Sequence, residues 1–265
     1  MVLLMSDPEH LTFFLGGHDL EMLVIARMVR RALGPARVVD NRLGWGAEAA
    51  AYAAEIAAAR AAGQTPVLIE LATTEAERTA WPDAILVDHH GVRAGEPTSL
   101  EQVHRLLGTA APRWSRWHAL VAANDRGHVR AMRAAGASLA QMRRVRAADR
   151  CAQGITPAEE AAGVAALAGA ECVCEGRVLL VHLPHGRTAT VADRLALEDD
   201  ASTPPVLLVI SPGEINVFGP GREIKALATA FPDGWWGGDL PEAGFWGARA
   251  SVAGEEAVLN VLAVR

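Results

Sequence analysis

The sequence predicts an α/β protein: a doubly wound, mostly parallel sheet followed by a smaller α+β domain. Three observations carry this expectation. Short, near-continuous apolar runs alternate with helical stretches through the first half of the 265 residues, as parallel strands covered on both faces require. Acidic and imidazole side chains recur just past the last apolar residue of those runs, where open α/β sheets gather their ligands. Past Cys151-Ala152-Gln153-Gly154 the alternation gives way to a newly capped helix and then to strands.

Leu11 to Leu15 is a short apolar strand that ends at Gly16-Gly17. Leu20 to Leu33 places Leu20, Leu23, Val24, Arg27, Met28 and Arg31 at helical spacing, and Gly34-Pro35 stops it. Ala36 to Asp40 is a second strand, and Ala47 to Ala62 is helical by propensity, closing at Gly63. Pro66 to Leu71 forms a third strand and Ala84 to Asp88 a fourth. Such alternation implies right-handed crossovers in one sheet. Trp117 to Ala123 is a further helix or strand, followed by a charged break from Arg143 to Arg150 and a loop from Cys151 to Gly154. Thr156-Pro157-Ala158-Glu159 opens a helix: Thr156 is the N-cap, Pro157 the first helical residue, and Glu159 completes a capping box. Arg177 to Leu183, Val206 to Ser211 and Ile215 to Phe218 are strands, and Glu223 to Phe231 a helix. The expected division is an α/β domain over residues 1–152, a connecting helix over 153–170 and a smaller α+β domain over 171–265.

Composition removes several classes of function. Hydrophobic residues at 51% and charged residues at 21% exclude a disordered or collagen-like polymer. The 25 basic residues are outnumbered by 31 acidic ones, net −6. That opposes a binder of duplex DNA, whose footprint is basic, but leaves room for a small phosphorylated ligand held through metal ions. The one lysine is Lys225 and no GxxxxGK[ST] occurs, so P-loop, Schiff-base and Ser–Lys chemistries lack their raw material. Cys151, Cys172 and Cys174 make neither a disulfide framework nor a Cys-x-x-Cys zinc knuckle. Met1 to Glu9 lacks a basic segment leading into an apolar run. No apolar window reaches the ~20 residues of a membrane span. A cytoplasmic protein without a membrane partner is expected.

Asp19 and Glu21 follow the first strand, Glu70 ends the third, and Asp88-His89-His90-Gly91 ends the fourth. Asn124-Asp125-Arg126-Gly127-His128 ends the next apolar segment. Carboxylates and imidazoles suit Mg²⁺, Mn²⁺ or Zn²⁺. Two neighbouring ions need a bridging carboxylate and several terminal ligands, and such a pair activates water and clamps a phosphoryl group. Taken singly, Asp19 reads as a helix cap, Glu21 as a surface acid and Asp125 as a loop polar group. Their recurrence at the strand ends of one sheet makes the metal reading the better one.

Val87-Asp88-His89-His90-Gly91 at the end of an apolar strand resembles the signature of the DHH phosphoesterase superfamily. Gly237-Gly238-Asp239-Leu240-Pro241-Glu242-Ala243-Gly244-Phe245 is similar to the Gly-Gly-His-x-x-Ala-Ala-Gly-Phe segment of the DHHA1 domain that follows many DHH domains. The resemblance spans most of the chain, roughly Phe13 to Phe245. It implies metal ligation by Asp19, Glu21, Glu70, His89 and Asp125. Asp88 would orient His89, and His90 would lie against the substrate phosphate as proton donor or neutralising group. Arg222, Gly237, Gly238 and Asp239 would meet the substrate. The chain departs from the pattern in five places. Leu15 stands where the family has a ligand His, with His18 as the nearest replacement, and Glu21 and Glu70 stand for Asp. Asp239 replaces the substrate-facing His, and Phe218-Gly219-Pro220-Gly221 replaces a Ser-x-Arg element, leaving Arg222 as substitute.

The arginines from Arg126 to Arg150 fit a solvated helical face better than a phosphate track. Trp235-Trp236 fits a stacking platform and a packing role about equally. His182 and His185 read as structural, His104 and His118 as peripheral, and His128 as peripheral but worth testing. The leading expectation is a hydrolase: a phosphoesterase using Mn²⁺ or Mg²⁺, with two ions, on a phosphodiester. Its substrate would be a small nucleotide, cyclic dinucleotide or short single-stranded oligonucleotide in a cleft between two domains. The alternative is a catalytically impaired relative that binds a nucleotide or phosphate and regulates a partner. A DHH-type pyrophosphatase is weaker, because the resemblance would then call for a lysine- and arginine-rich substrate motif in the second domain, and the one lysine is Lys225 on a helix. A homodimer is compatible with either.

Overall fold

The computed structural model describes residues 7–44, 46–198 and 205–264. The chain divides into two units, residues 1–153 and 154–265.

In the first unit, β1 (Leu11–Leu15) leads into α1 (Leu20–Leu33), which Asp19 caps and Gly34 (φ 92) ends. β2 is confined to Val38–Val39, because Pro35 draws Ala36 and Arg37 into a 3₁₀ turn. α2 (Ala53–Ala61) is shorter than propensity predicts. Of its expected first residues, Ala49–Tyr52 form a 3₁₀ turn, and Glu48 before it pairs with the segment after β3 (Thr65–Ile69), through Ala49 N–H to Ala72 O at 2.9 Å and Ala72 N–H to Ala47 O at 2.9 Å.

The rest of the unit is α3 (Glu75–Ala80), β4 (Ile85–Val87), α4 (Ser99–Leu107), α5 (Arg116–Ala134) and α6 (Leu139–Ala152). The capping-box signature that marks Thr156 also stands at Thr74, Thr98 and Ser138, where it opens α3, α4 and α6, and at the start of α5 Ser115 makes the same reciprocal bonds with His118. The expected charged break at Arg143 to Arg150 is a correction: these residues lie inside α6. Arg146, Asp149 and Arg150 are buried there, so their charges mark an inward face.

The four strands form one parallel sheet in the order β2-β1-β3-β4. Phe14 and Leu68 pack with Tyr52 and Ile56 on one face. α1 lies against α4, α5 and α6 and buries Met22, Ile25 and Val29.

The second unit opens with α7 (Pro157–Ala168), capped by Thr156 and Glu159. It continues through β5 (Glu171–Val173), β6 (Val178–His182), α8 (Ala189–Glu198), β7 (Val206–Ser211) and β8 (Glu214–Gly219). α9 (Gly221–Ala230), β9 (Trp235–Asp239), β10 (Ala243–Arg249) and α10 (Glu255–Ala263) complete it. The six-stranded sheet runs β5-β6-β7-β8-β10-β9 and is antiparallel except between β6 and β7. Alternation sorts its side chains by face. Val206 and Leu208 join Trp246, Ile224, Leu227 and Val258, whereas Leu207 and Val209 join Val191 and Leu183. The Gly237–Phe245 segment is thus a strand pair, in which Gly237 faces Phe245 and Asp239 faces Ala243. Among the described residues no helix is long and apolar enough to cross a membrane.

Candidate metal centre

β2 and β3 lie on opposite sides of β1, so the strand order reverses between β1 and β3, the position where open parallel sheets bind ligands. Gly16 follows β1 there and donates its N–H to Ile69 O at 2.8 Å. A side chain at position 16 would come within 2.3 Å of the Glu70 carbonyl oxygen, so only glycine fits. Glu70 itself sits at φ 51, a left-handed conformation that costs a non-glycine residue roughly 1–2 kcal/mol. Strain of this kind collects at functional sites.

The start of α4 holds two of the carboxylates. Ser99 Oγ donates to Glu70 Oε1 at 2.7 Å, and the Leu100 N–H donates to Glu21 Oε1 at 2.9 Å. Glu21 is buried in the first turn of α1 and not at the surface. His89 Nε2 lies 2.5 Å from Asp125 Oδ2, 3.5 Å from Glu70 Oε1 and 3.9 Å from Glu21 Oε2. The approach to Asp125 is close but not aligned as a hydrogen bond. His89 Nε2, Asp125 Oδ2 and Glu21 Oε2 therefore remain buried without a hydrogen-bond partner. His90 joins Glu70, His89 and Asp125 in a group whose ligand atoms all lie within 4.8 Å of one another. Asp125 belongs to α5 just before its helical geometry breaks at Gly127 and His128.

Burial is the largest influence on Asp19, and with the charges of Asp125, Glu70 and Asp149 it lifts the carboxyl to about 7, against the hydrogen bond from Met22 N–H. Burial and then Asp125 and Glu70 push Glu21 well above the ordinary carboxylate range. For His89, burial works against the charge, but contact with Asp125 and Glu70 and the charges of Asp125 and Glu21 outweigh it and raise the imidazole to about 10. One imidazole cannot balance several crowded carboxylates. A buried excess of negative charge beside unpartnered nitrogen and oxygen atoms is the donor set of a hard or borderline divalent cation. The residues fit such an ion: Glu21, Glu70, His89 and Asp125 would hold it, with Asp19 within electrostatic reach.

The expected orienting role of Asp88 on His89 requires correction. Asp88 Oδ1 accepts from the His90 N–H at 2.9 Å and lies 3.1 Å from His90 Nδ1, because the turn after β4 folds the His90 backbone over Asp88. Of the expected ligands, His18, Asp19 and Glu21 lie outside the four-residue group; His18 is half-buried, whereas Glu21 is buried with Oε2 3.9 Å from His89 Nε2. Arg222 and Asp239 belong to the second unit. Arg222 Nε donates to Glu223 Oε1 at 2.6 Å and Asp239 lies on β9 beside Gly237 and Gly238. Sequence reasoning missed Ser99 and Asp149, named Asn124 only as part of the Asp125 segment, and placed Arg146 on a solvated face although it is buried. The capping box at Thr98 and Glu101 would have found the helix that carries Ser99.

No protein-family model matches the sequence, and no curated protein matches it. Among solved structures, the chain is similar to a DHH-domain protein described as a member of the S1p family of ribosomal proteins. The identity is 12%, over 97% of this chain and 86% of that one, with a TM-score of 0.58. Two further similarities are to the exonuclease RecJ bound to manganese (17% identity, 97% of this chain and 92% of that one, TM-score 0.45) and to an exopolyphosphatase-related protein from Bacteroides fragilis (11%, 83% and 68%, TM-score 0.40). The chain has the fold of DHH-domain proteins.

Proposed function

We propose that the chain is a divalent-metal-dependent phosphoesterase that hydrolyses a phosphodiester of a small nucleotide, cyclic dinucleotide or short oligonucleotide. One observation carries the reading: three buried atoms without hydrogen-bond partners, on Glu21, His89 and Asp125, converge with Glu70 at the strand-order reversal. The DHH-type fold supports it. Divalent cations, two in this reading and Mn²⁺ or Mg²⁺ by the hardness of the donors, supply Lewis acidity toward water and toward a phosphoryl oxygen.

The chain's own residues do the rest. Ser99 and the start of α4 hold Glu70 and Glu21 in fixed directions, so little reorganisation is needed when charge develops. His90 is half exposed, with Nδ1 turned to Asp88. In the imidazolium form Nε2 also carries a proton, which it can donate to a phosphate oxygen or use to neutralise it.

The test is hydrolysis of bis(p-nitrophenyl) phosphate and of a dinucleotide by purified protein with Mn²⁺. Activity that requires Mn²⁺ and disappears in His89→Ala is the expected result, and metal-independent or absent hydrolysis overturns it. The occupied state of Arg222 and the acidic Asp239 favour a second reading, a regulator that binds a nucleotide or phosphate without turnover. One ion or none per chain, with ligand-induced thermal stabilisation and no hydrolysis, would support that reading instead.

A further inference from the structure

Behind the cluster runs a buried polar bridge between the two elements that carry its outermost acids. Arg146 on α6 is 2% exposed, and its Nη1 donates to Asn124 Oδ1 at 2.9 Å and to Asp149 Oδ2 at 2.7 Å. Asp149 is 4% exposed and accepts the Leu20 N–H on its other oxygen at 3.1 Å. Asn124 directly precedes Asp125, and Leu20 stands between Asp19 and Glu21. The path Asn124, Arg146, Asp149, Leu20 thus joins the backbone at Asp125 to the backbone at Asp19 and Glu21.

Stability alone is a poor reason for such a bridge. A buried ion pair loses to desolvation much of what attraction returns, and apolar residues of similar volume often serve as well. What a guanidinium adds is direction, through donors fixed in one plane. The cluster needs direction at this point. α5 departs from helical geometry at Gly127 and at His128 (φ 50), so Asp125 stands two residues before a kink and not in the middle of a regular helix.

We infer that Arg146, with Asn124 and Asp149, forms a positioning device that sets Asp125 against the Asp19–Glu21 pair and thereby the affinity for a divalent cation. The inference rests on the metal reading proposed above. These three are positioning residues: they act through the residues they tether.

The test is Mn²⁺ affinity by electron paramagnetic resonance, with the metal-free Tm measured alongside, for the full chain and its variants. Asn124→Ala removes the tether to Arg146 but leaves the Arg146–Asp149 pair intact. The expected result is Mn²⁺ binding weakened about tenfold or more, the scale seen when groups behind metal ligands are lost. The metal-free Tm should move by no more than about 4 °C. Asn124→Asp keeps an acceptor on Arg146 and should retain wild-type affinity. Wild-type affinity in Asn124→Ala, or equal weakening in both variants, overturns the inference. Should Asn124→Ala fail to fold, Arg146→Lys keeps the charge and loses the planar fork, with the same expected and overturning results. A wild-type chain that binds no Mn²⁺ overturns the metal reading and this tether with it. Binding by the wild type that is unchanged in the variants overturns the tether alone.

Discussion

The two units solve the placing of polar side chains in opposite ways. In the first, all four strands run parallel, so every strand delivers its last residue to the same edge. Glu70 and His89 come to one point from two adjacent strand ends, and α1 and α5 bring Glu21 and Asp125 to it. In the second, all neighbours but β6 and β7 run antiparallel, so strand ends alternate between edges. Its candidate residues come from one strand and one helix start: Gly237, Gly238 and Asp239 follow one another on β9, and Arg222 in the first turn of α9 is engaged by Glu223. A parallel sheet collects chemistry at one rim by topology alone, while a mixed sheet must recruit it residue by residue.

The largest expected effect tests that contrast directly. His89→Ala or Asp125→Ala should lower Mn²⁺-dependent phosphodiester hydrolysis about a thousandfold or more, roughly 4 kcal/mol of barrier. Arg222→Ala should cost at most about tenfold, roughly 1.4 kcal/mol. Similar losses at both places, in steady-state kinetics, would break the comparison.

Next in size is the cost of a single methyl group. Gly16→Ala drives a carbon into the Glu70 backbone at 2.3 Å and should destabilise the fold by about 2–3 kcal/mol in urea unfolding. Gly247→Ala meets the Trp235 ring at 2.5 Å. That ring is 41% exposed and can swing aside, so the cost should stay near or below about 1 kcal/mol.

The pH dependence sharpens the comparison from the side of charge. Protons on Asp19, with its pKa at about 7, and on His89, at about 10, compete with a cation. Raising the pH from 5 to 8 should therefore enlarge the Tm increment that Mn²⁺ produces. Without metal the sign reverses. The stability that Asp19 contributes is complete below 3.8 and lost as pH rises through about 7, and that of His89 is complete below 6.5 and lost toward about 10. Scanning calorimetry with and without Mn²⁺ reads both trends, and an increment independent of pH would contradict the cage.

The smallest effect compares two caps. Thr98→Ala and Thr156→Ala each remove a capping box and should each cost about 1 kcal/mol. Only Thr98→Ala should also weaken Mn²⁺ binding, because α4 presents Ser99 and Leu100 to the carboxylates. Calorimetric titration with Mn²⁺ separates the two.

Sequence reading found much of the first unit because its signals are local. An apolar run ending in Asp88-His89-His90 announces a strand and its tip within a few residues. The same locality caused the errors. Arg143 to Arg150 looks like a solvated break because charge alone does not say which way a helix faces. α5 looks like a short element because its kink interrupts the pattern. The roles of Ser99, Arg146 and Asp149 could not be found from neighbours: Arg146 and Asp149 pair three residues apart, but the groups they and Ser99 hold at the cluster lie far off in the chain. The Leu100 bond to Glu21 spans 79 residues and the Asp149 bond to Leu20 spans 129.

By itself, then, the order of residues determined most strands, the polar tips of those in the first unit and the residue types able to hold a cation, because side-chain periodicity and turn chemistry act over a few positions. β5, β9 and β10 of the second unit emerged only in the structure. Only the tertiary structure decided which tips meet, that Asp88 turns to His90 and that Arg146 stands behind Asp125. Those outcomes depend on strand order and on helix starts that bring distant backbone groups within hydrogen-bonding distance.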